Sequence, residues 1–293
     1  MELFLQQVVS GLASGAIYAS LAIALVLIFR ATDIVNFAQG EMAMFSTYIA
    51  WQLLADGAPY WMAVGITLVA SFVGGVLIER IVIRPVEGRP ELVIIIVTIG
   101  MFIFINALAG WIWSFQVRGM TSPWANDSLT LGGVRVGFQT LGILAVVAVV
   151  VGLLFVLFTR TRLGLVLRAA AENPASSRLV GIRVGWMLAL GWGLASAVGA
   201  LSGVLVAPIL FLDPNMMLSV LIFAFAAATL GGFDSPGGAV LGGLTVGVTE
   251  NLAATYVDAI GSDLKVLVPM ALIVVVLLVR PQGLFGRAAV ERV

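Results

Sequence analysis

Residues 1–29, MELFLQQVVSGLASGAIYASLAIALVLIF, hold an apolar run from about residue 8 to 29 that contains no Lys, Arg, Asp or Glu. Roughly 20 such residues, at about 1.5 Å rise each, match the thickness of a bilayer's hydrocarbon. The stretch therefore predicts a membrane-crossing helix. It carries Glu2 and no basic residue before Arg30, whereas a cleavable signal peptide has a basic start and a shorter apolar core, so it reads as a retained first span. The same pattern recurs near 60–83, 91–114, 138–158, 187–208 and 264–280. Blocks near 37–55, 216–231 and 239–256 are shorter or interrupted by polar residues and glycine, and each reads as a full, tilted or broken span. Eight or nine crossings follow, with nine preferred: an all-α, polytopic membrane helix bundle forming a single domain over residues 1–293.

The totals agree. Hydrophobic residues make up 61% of the chain and charged residues 10%, against about 25% charged in soluble proteins. The absence of Cys and His removes disulfides, thiolate nucleophiles and the commonest general base and metal ligand, which excludes most enzyme chemistry. An intramembrane hydrolase would lack a His base. Zero formal net charge gives no reason to expect a nucleic-acid partner.

Arginine sets the orientation. Arg30, Arg80, Arg84, Arg89, the five arginines from Arg160 to Arg183, and Arg280, Arg287 and Arg292 fall on one side in a nine-span arrangement, leaving Arg118, Arg135 and Lys265 on the other. The positive-inside rule makes the first group cytoplasmic, with the N-terminus outside and the C-terminus inside. The external loop, about 115–137, has turn-forming Gly, Pro, Asn and Asp, and LTLGGVRV within it reads as a short strand pair about Gly132 and Gly133. It is either a docking surface or a connector. Asn126, Asp127 and Ser128 form a glycosylation triplet, a pattern too short to weigh much.

The cytoplasmic loop, about 159–186, contains RAAAENPASSRLVGIR, Arg168–Arg183. A helix runs up to Glu172; Asn173 can cap a second helix, Pro174 suits its first position, and Gly181 can take the left-handed conformation that ends it. Ala175, Ser176 and Ser177 let another backbone approach, while Arg168, Glu172 and Arg178 supply orienting charge. A helix of about seven residues is marginal alone, so a partner surface is expected to hold it. The plainer alternative is an ordinary basic loop.

Polar residues also fall at membrane depth. In RATDIVNFAQGEMAM, Asp33, Asn36, Gln39 and Glu41 lie near or inside hydrocarbon, with Phe37 and Gly40 between them. A carboxylate at a helix centre costs roughly 2.5–3.5 kcal/mol on insertion scales and usually faces a cavity or protein. The segment is either a cytoplasmic loop or a partly unwound lining of a translocation path. LGGFDSPGGAVLGG, Leu230–Gly243, has six glycines and a proline in fourteen residues, which predicts an interrupted helix: a tight cytoplasmic turn or a re-entrant hinge. Gly232, Asp234, Gly237 and Gly238 join the path candidates on that ground. Glu250 is another, with helix-to-helix hydrogen bonding as the alternative. Glycine pairs at four-residue spacing, such as Gly11 with Gly15 and Gly199 with Gly203, predict close helix packing.

The phosphate cradle G-x-x-x-x-G-K-[ST] is absent, and the lone lysine, Lys265, lacks that context. Any ATP that drives transport is hydrolysed on another polypeptide, and the break at Asn173–Pro174 is the handle for it. Four motifs in order, GAIYASLAIALVLIFRATDIVNFAQGE, LRAAAENPASSRLVGI, LGGFDSPGGAVLGG and RPQGLFGR, resemble the permease subunits of ATP-binding-cassette (ABC) importers for branched-chain amino acids. The resemblance implies a multi-pass protein of the cytoplasmic (inner) membrane that binds no cofactor itself. It implies cytoplasmic ATPase subunits as partners, a second permease that is identical or homologous, and an external solute-binding protein, with Arg168–Ile182 as the ATPase contact. That family often has His where this chain has Gln39, so no titratable group stands there. Urea and short-amide importers share the motifs. A rival from another class is an ion-coupled carrier using Asp33, Glu41 or Glu250 as ligands.

Overall fold

The computed structural model describes residues 1–32, 34–124, 127–131, 133–258, 261 and 264–286. Asp33, Asn126 of the glycosylation triplet, Gly132 of the strand pair, and Arg287 and Arg292 lie outside the described residues. Helices dominate: α1 Glu2–Thr32, α2 Gln39–Ala55, α3 Tyr60–Ile78, α4 Glu91–Trp113, α5 Phe138–Arg160, α6 Arg162–Glu172, α7 Pro174–Leu179, α8 Val184–Leu210, α9 Met216–Gly231, α10 Pro236–Tyr256 and α11 Leu267–Val279. The apolar run of α3 continues through a π-helical turn, Glu79–Ile83, and a 3-10 turn, Arg84–Val86. Five of these runs are long and apolar enough to cross a membrane, namely α1, α3 with its extension, α4, α5 and α8. The helices α2, α9, α10 and α11 are shorter or carry polar and glycine residues, and they fall where the sequence places its less regular spans.

The loop between α4 and α5 holds the strand pair. β1, Ser128–Leu131, runs antiparallel to β2, Val134–Gly137, with Leu131 opposite Val134. Gly133 between them has φ +85°, a left-handed turn conformation that glycine adopts without penalty.

The chain packs into two compact units, each drawing on separate stretches of sequence. The first comprises Met1–Val26, Trp124–Val147 and Ser219–Val293. At its centre α1 meets α10, where an added Cβ would come to 2.6 Å from the backbone of Val248 at Gly11 and 2.7 Å from the Gly243 oxygen at Gly15. Lipid tails are as apolar as leucine, so such helices associate by close packing of small residues. The glycine spacing of α1 thus has its partner in the glycines of α10. Tyr18 stacks on Phe223 with ring centroids 4.6 Å apart, and Gln6 anchors the hairpin, its side chain donating to the Arg135 carbonyl and accepting from the Arg135 N–H, both at 2.8 Å.

The second unit comprises Leu27–Pro123 and Ala148–Leu218. Here α8 is the central element, with Gly199 and Gly203 facing Gln39, Ala43 and Thr47 of α2. Its most apolar stretch is 72% buried, whereas those of α4 and α5 are 22% and 17% buried and present Ile, Val and Phe outward, as a membrane face requires.

One expectation is corrected. The interruption at Leu230–Gly243 is confined to residues 232–235; from Pro236 the chain is helical despite its glycines. Ser235 caps α10 by accepting from the Gly238 N–H at 3.0 Å. The glycines sit on close neighbours, Gly238 on Gly231, Gly242 on Ala227 and Gly243 on Ala19. Their cost in helix propensity, about 1 kcal/mol each, is offset by packing that a larger residue would prevent.

Candidate functional site

The second unit carries a helix, a sharp break and a second short helix at α6–α7. Thr161 caps α6, accepting from the Gly164 N–H at 3.0 Å. Asn173 ends α6 and caps α7: its side-chain oxygen accepts from the Ser176 N–H at 2.9 Å, with Pro174 at the first helical position. Ser177, nearly fully buried, donates across the break to the Ala169 carbonyl at 2.8 Å, which joins the two helices into one piece. Gly181 has φ +84° where the chain leaves α7. Of the sequence-selected residues, Arg168, Glu172, Asn173, Pro174, Ser176, Arg178 and Gly181 are exposed. So are two residues not singled out from sequence, Leu179 at 89% and Val180 at 76%. Two large aliphatic side chains at the tip of a six-residue helix form an uncovered apolar knob.

This piece is fixed to α8. Ala170 of α6 packs in a buried cluster with Val184 and Leu188 of α8, flanked by Ile182 and Met187. Further along α8 the Ala195 carbonyl accepts from the Gln39 side chain at 3.1 Å. Ala195 lies roughly 16 Å from Val184 along the helix axis at about 1.5 Å per residue. Gln39, the first residue of α2, therefore sits deep, and residues 34–38 before it are not helical. Asn36 holds this stretch through its side chain: its oxygen accepts from the Ala38 backbone N–H at 3.0 Å and its amide donates to the side-chain oxygen of Gln39, Oε1, at 3.2 Å. Asn36, Gln39 and Gly40 are buried, and Phe37 is half-buried.

Glu41 is also buried and accepts from Asn106 of α4 at 3.2 Å; the same amide reaches the Pro214 carbonyl at 2.9 Å and Asn215 Oδ1 at 3.3 Å. Asn106 was not singled out from sequence, although a lone Asn within FINALAG of an apolar run was a visible signal. A cavity of about 340 Å³ spans the distance between break and unwound stretch, walled by Ala171, Glu172 and Pro174 on one side and by Ile34 and Asn36 on the other.

The remaining candidates belong to the first unit. Gly232, at φ +96°, turns the chain between α9 and α10, and residues 280–286 of the RPQGLFGR motif close over it: the Leu284 N–H donates to the Leu230 carbonyl at 2.8 Å and Phe285 to Gly231 at 3.2 Å. Two of the motifs read separately from sequence thus form one structure. Asp234 and Gly237 are exposed at this turn and Gly238 is buried in it. Glu250 accepts from the Tyr18 hydroxyl at 2.8 Å and faces Lys265 Nζ at 3.5 Å, the helix-to-helix arrangement foreseen as the alternative to a path role.

Residues 7–277 match the family described as the permease component of the branched-chain amino acid transport system. The chain belongs to this family of transport permeases. Among permeases that it resembles is the high-affinity branched-chain amino acid transport system permease protein BraD of Pseudomonas aeruginosa, 33% identical over 304 aligned positions covering 99% of this chain and 98% of that protein. LivH of Escherichia coli K12, which carries the same description, is 31% identical over 306 positions with the same coverage. A probable branched-chain amino acid transport permease LivH of Methanocaldococcus jannaschii is 28% identical and covers 91% of this chain and 87% of that one. Among solved structures, PsaBC from Streptococcus pneumoniae in complex with Fab aligns with a TM-score of 0.51 at 15% identity, over 95% of this chain and 92% of that one. That likeness concerns the fold. Permease relatives and five helices long and apolar enough to cross a membrane together point to a multi-pass membrane protein.

Proposed function

We propose that this permease is the membrane subunit of an ABC importer that carries branched-chain amino acids across the cytoplasmic membrane, driven by ATPase subunits that dock on α6–α7. The observation that carries the proposal is the capped break itself: an exposed, internally hydrogen-bonded pair of helices ending in the uncovered Leu179 and Val180. Topology alone needs arginines and not this construction. The substrate class is transferred from BraD and LivH. A second permease, identical or homologous, and an external solute-binding protein complete the assembly, and ATP is bound by the partner subunits.

A mechanical route supports the reading. Closure of the ATPases on nucleotide pushes α7; the Ser177 bond makes α6 follow; Ala170 moves with Val184 and Leu188, and α8 carries Gln39 and the start of α2 through Ala195. Each link is a rigid helix or a buried contact, which is what transmission over such a distance requires. The path would then open beside the unwound residues 34–38. An ion-coupled carrier is less well served, because Glu250 already faces Lys265 and Glu41 is held by Asn106. The test is uptake by the reconstituted assembly with leucine, urea and acetamide offered separately. ATP-dependent entry of leucine alone supports the proposal, and entry of urea or acetamide in preference replaces its substrate.

A further inference from the structure

The cavity behind the break has a composition that the coupling role does not require. Its floor is apolar, with Ile28, Ile83 and Leu188 contributing. Trp192 in its wall is 1% exposed, and its indole N–H has no hydrogen-bond partner among the described residues. A buried donor left unpaired costs about 1–3 kcal/mol, and such groups commonly await a water or a ligand. At the rim stand charges of both signs, Arg89 against Glu87, Glu91 and Glu172. Arg89 and Glu91 are two residues apart and exposed, yet neither forms an ion pair among the described residues. Their positions are fixed by a tight turn, in which the Glu87 N–H donates to the Arg84 carbonyl and Arg89 to Val86, with Gly88 at φ +79°. Beside Arg89, the 23-residue α4 begins at Glu91 with no side-chain cap; the Val93 N–H donates to the Pro90 carbonyl at 2.9 Å, which leaves the N–H groups of Glu91 and Leu92 for an acceptor.

We propose that this cavity is a second site for the imported solute class, a zwitterionic amino acid with an apolar side chain, which binds from the cytoplasm and slows the transporter. The carboxylate is held by Arg89 and the start of α4, the ammonium by Glu87, and the side chain by the apolar floor. The volume, about 340 Å³, falls at the lower end of the roughly 300–1,000 Å³ of small-ligand pockets. An occupant wedged between Pro174 and Asn36 opposes the movement of α6–α7 toward the unwound stretch. The inference rests on the substrate reading above and adds feedback to it.

The test uses the complete transporter in liposomes loaded with buffer, L-leucine, leucinamide or 4-methylpentanoate, with initial uptake of labelled external leucine and ATP hydrolysis as readouts. Internal L-leucine should lower both rates at least threefold, and the two analogues, each lacking one charge, should not. Arg89→Gln should remove that ratio, as should Ala171→Trp, which fills the cavity by a different route; binding of labelled leucine to the purified chain in nanodiscs should weaken at least tenfold in either variant. Rates that ignore internal leucine, that respond equally to all three compounds, or that stay sensitive in both variants overturn the site. Absence of uptake into leucine-free liposomes sinks instead the substrate reading on which it rests.

Discussion

Replacing Asn173 by Ala removes the oxygen that accepts from the Ser176 N–H at 2.9 Å. Loss of such a cap costs about 1 kcal/mol within a range of roughly 0.5–2, and about 1 kcal/mol changes a folded-to-unfolded ratio by roughly fivefold. A six-residue helix has few other local restraints; the main one is the Ser177 bond to Ala169, worth about another 1 kcal/mol. If the two act independently, Asn173→Ala with Ser177→Ala lowers the population of ordered α7 by about 30-fold at roughly 2 kcal/mol. On the proposed function the ATPase chemistry lies on another chain, so hydrolysis should continue while transport per ATP falls, by up to about fivefold in the single variant and more in the double. Asn173→Ser restores a capping oxygen and should restore coupling. The assay is ATP hydrolysed and leucine accumulated in the same proteoliposomes. A double variant that transports with wild-type stoichiometry refutes the claim that an ordered α7 carries the force.

Further outcomes follow from the same packing and hydrogen bonds. Gly15→Leu should destabilise the first unit by about 3 kcal/mol or more, since even a Cβ there meets backbone at 2.7 Å, whereas Gly74→Ala meets nothing within 4 Å and should be silent; thermal unfolding in detergent separates them. Gln39→Ala leaves the Ala195 carbonyl without its side-chain donor and should cost about 1–3 kcal/mol in the same measurement, with Gln39→Glu no better. Lys265→Met should cost about 1–3 kcal/mol, because it leaves the buried Glu250 carboxylate with the Tyr18 hydroxyl but without its counter-charge, and leucine uptake should persist when sodium and proton gradients are collapsed. The chain has no cysteine, so single Cys at Leu179 and at Thr130 should report sidedness: a membrane-impermeant thiol reagent on intact cells should label Thr130→Cys and spare Leu179→Cys.

Much of this architecture was legible in the sequence because membrane helices are specified locally. The run near 216–231 is α9 within the limits read from sequence, and the first span extends through Glu2–Thr32. The break at Asn173 was legible for the same reason: a cap, a proline and a left-handed glycine act within a few residues. Glycine spacing announced close packing, and the partners proved to be α10 for Gly11 and Gly15, and α2 for Gly199 and Gly203. Long-range pairings carried no such signal. Nothing in the local sequence around Glu41 points to Asn106, or around Glu250 to Tyr18, and the depth of residues 34–38 follows from long-range contacts of α2 with α8 such as the bond from Gln39 to Ala195. The glycines of α10 misled for a related reason. Propensity counts their cost, but the gain comes from neighbours distant in sequence.

The central claim is that a separate ATPase moves this chain through α6–α7. The most direct measurement is leucine accumulation in liposomes that contain the purified permeases with and without the ATPase subunits, ATP being present in both. The account predicts concentrative uptake only when the ATPase is present, and its loss when α7 is deleted. Concentrative uptake by the permeases alone, or unimpaired ATP-driven uptake without α7, would contradict it.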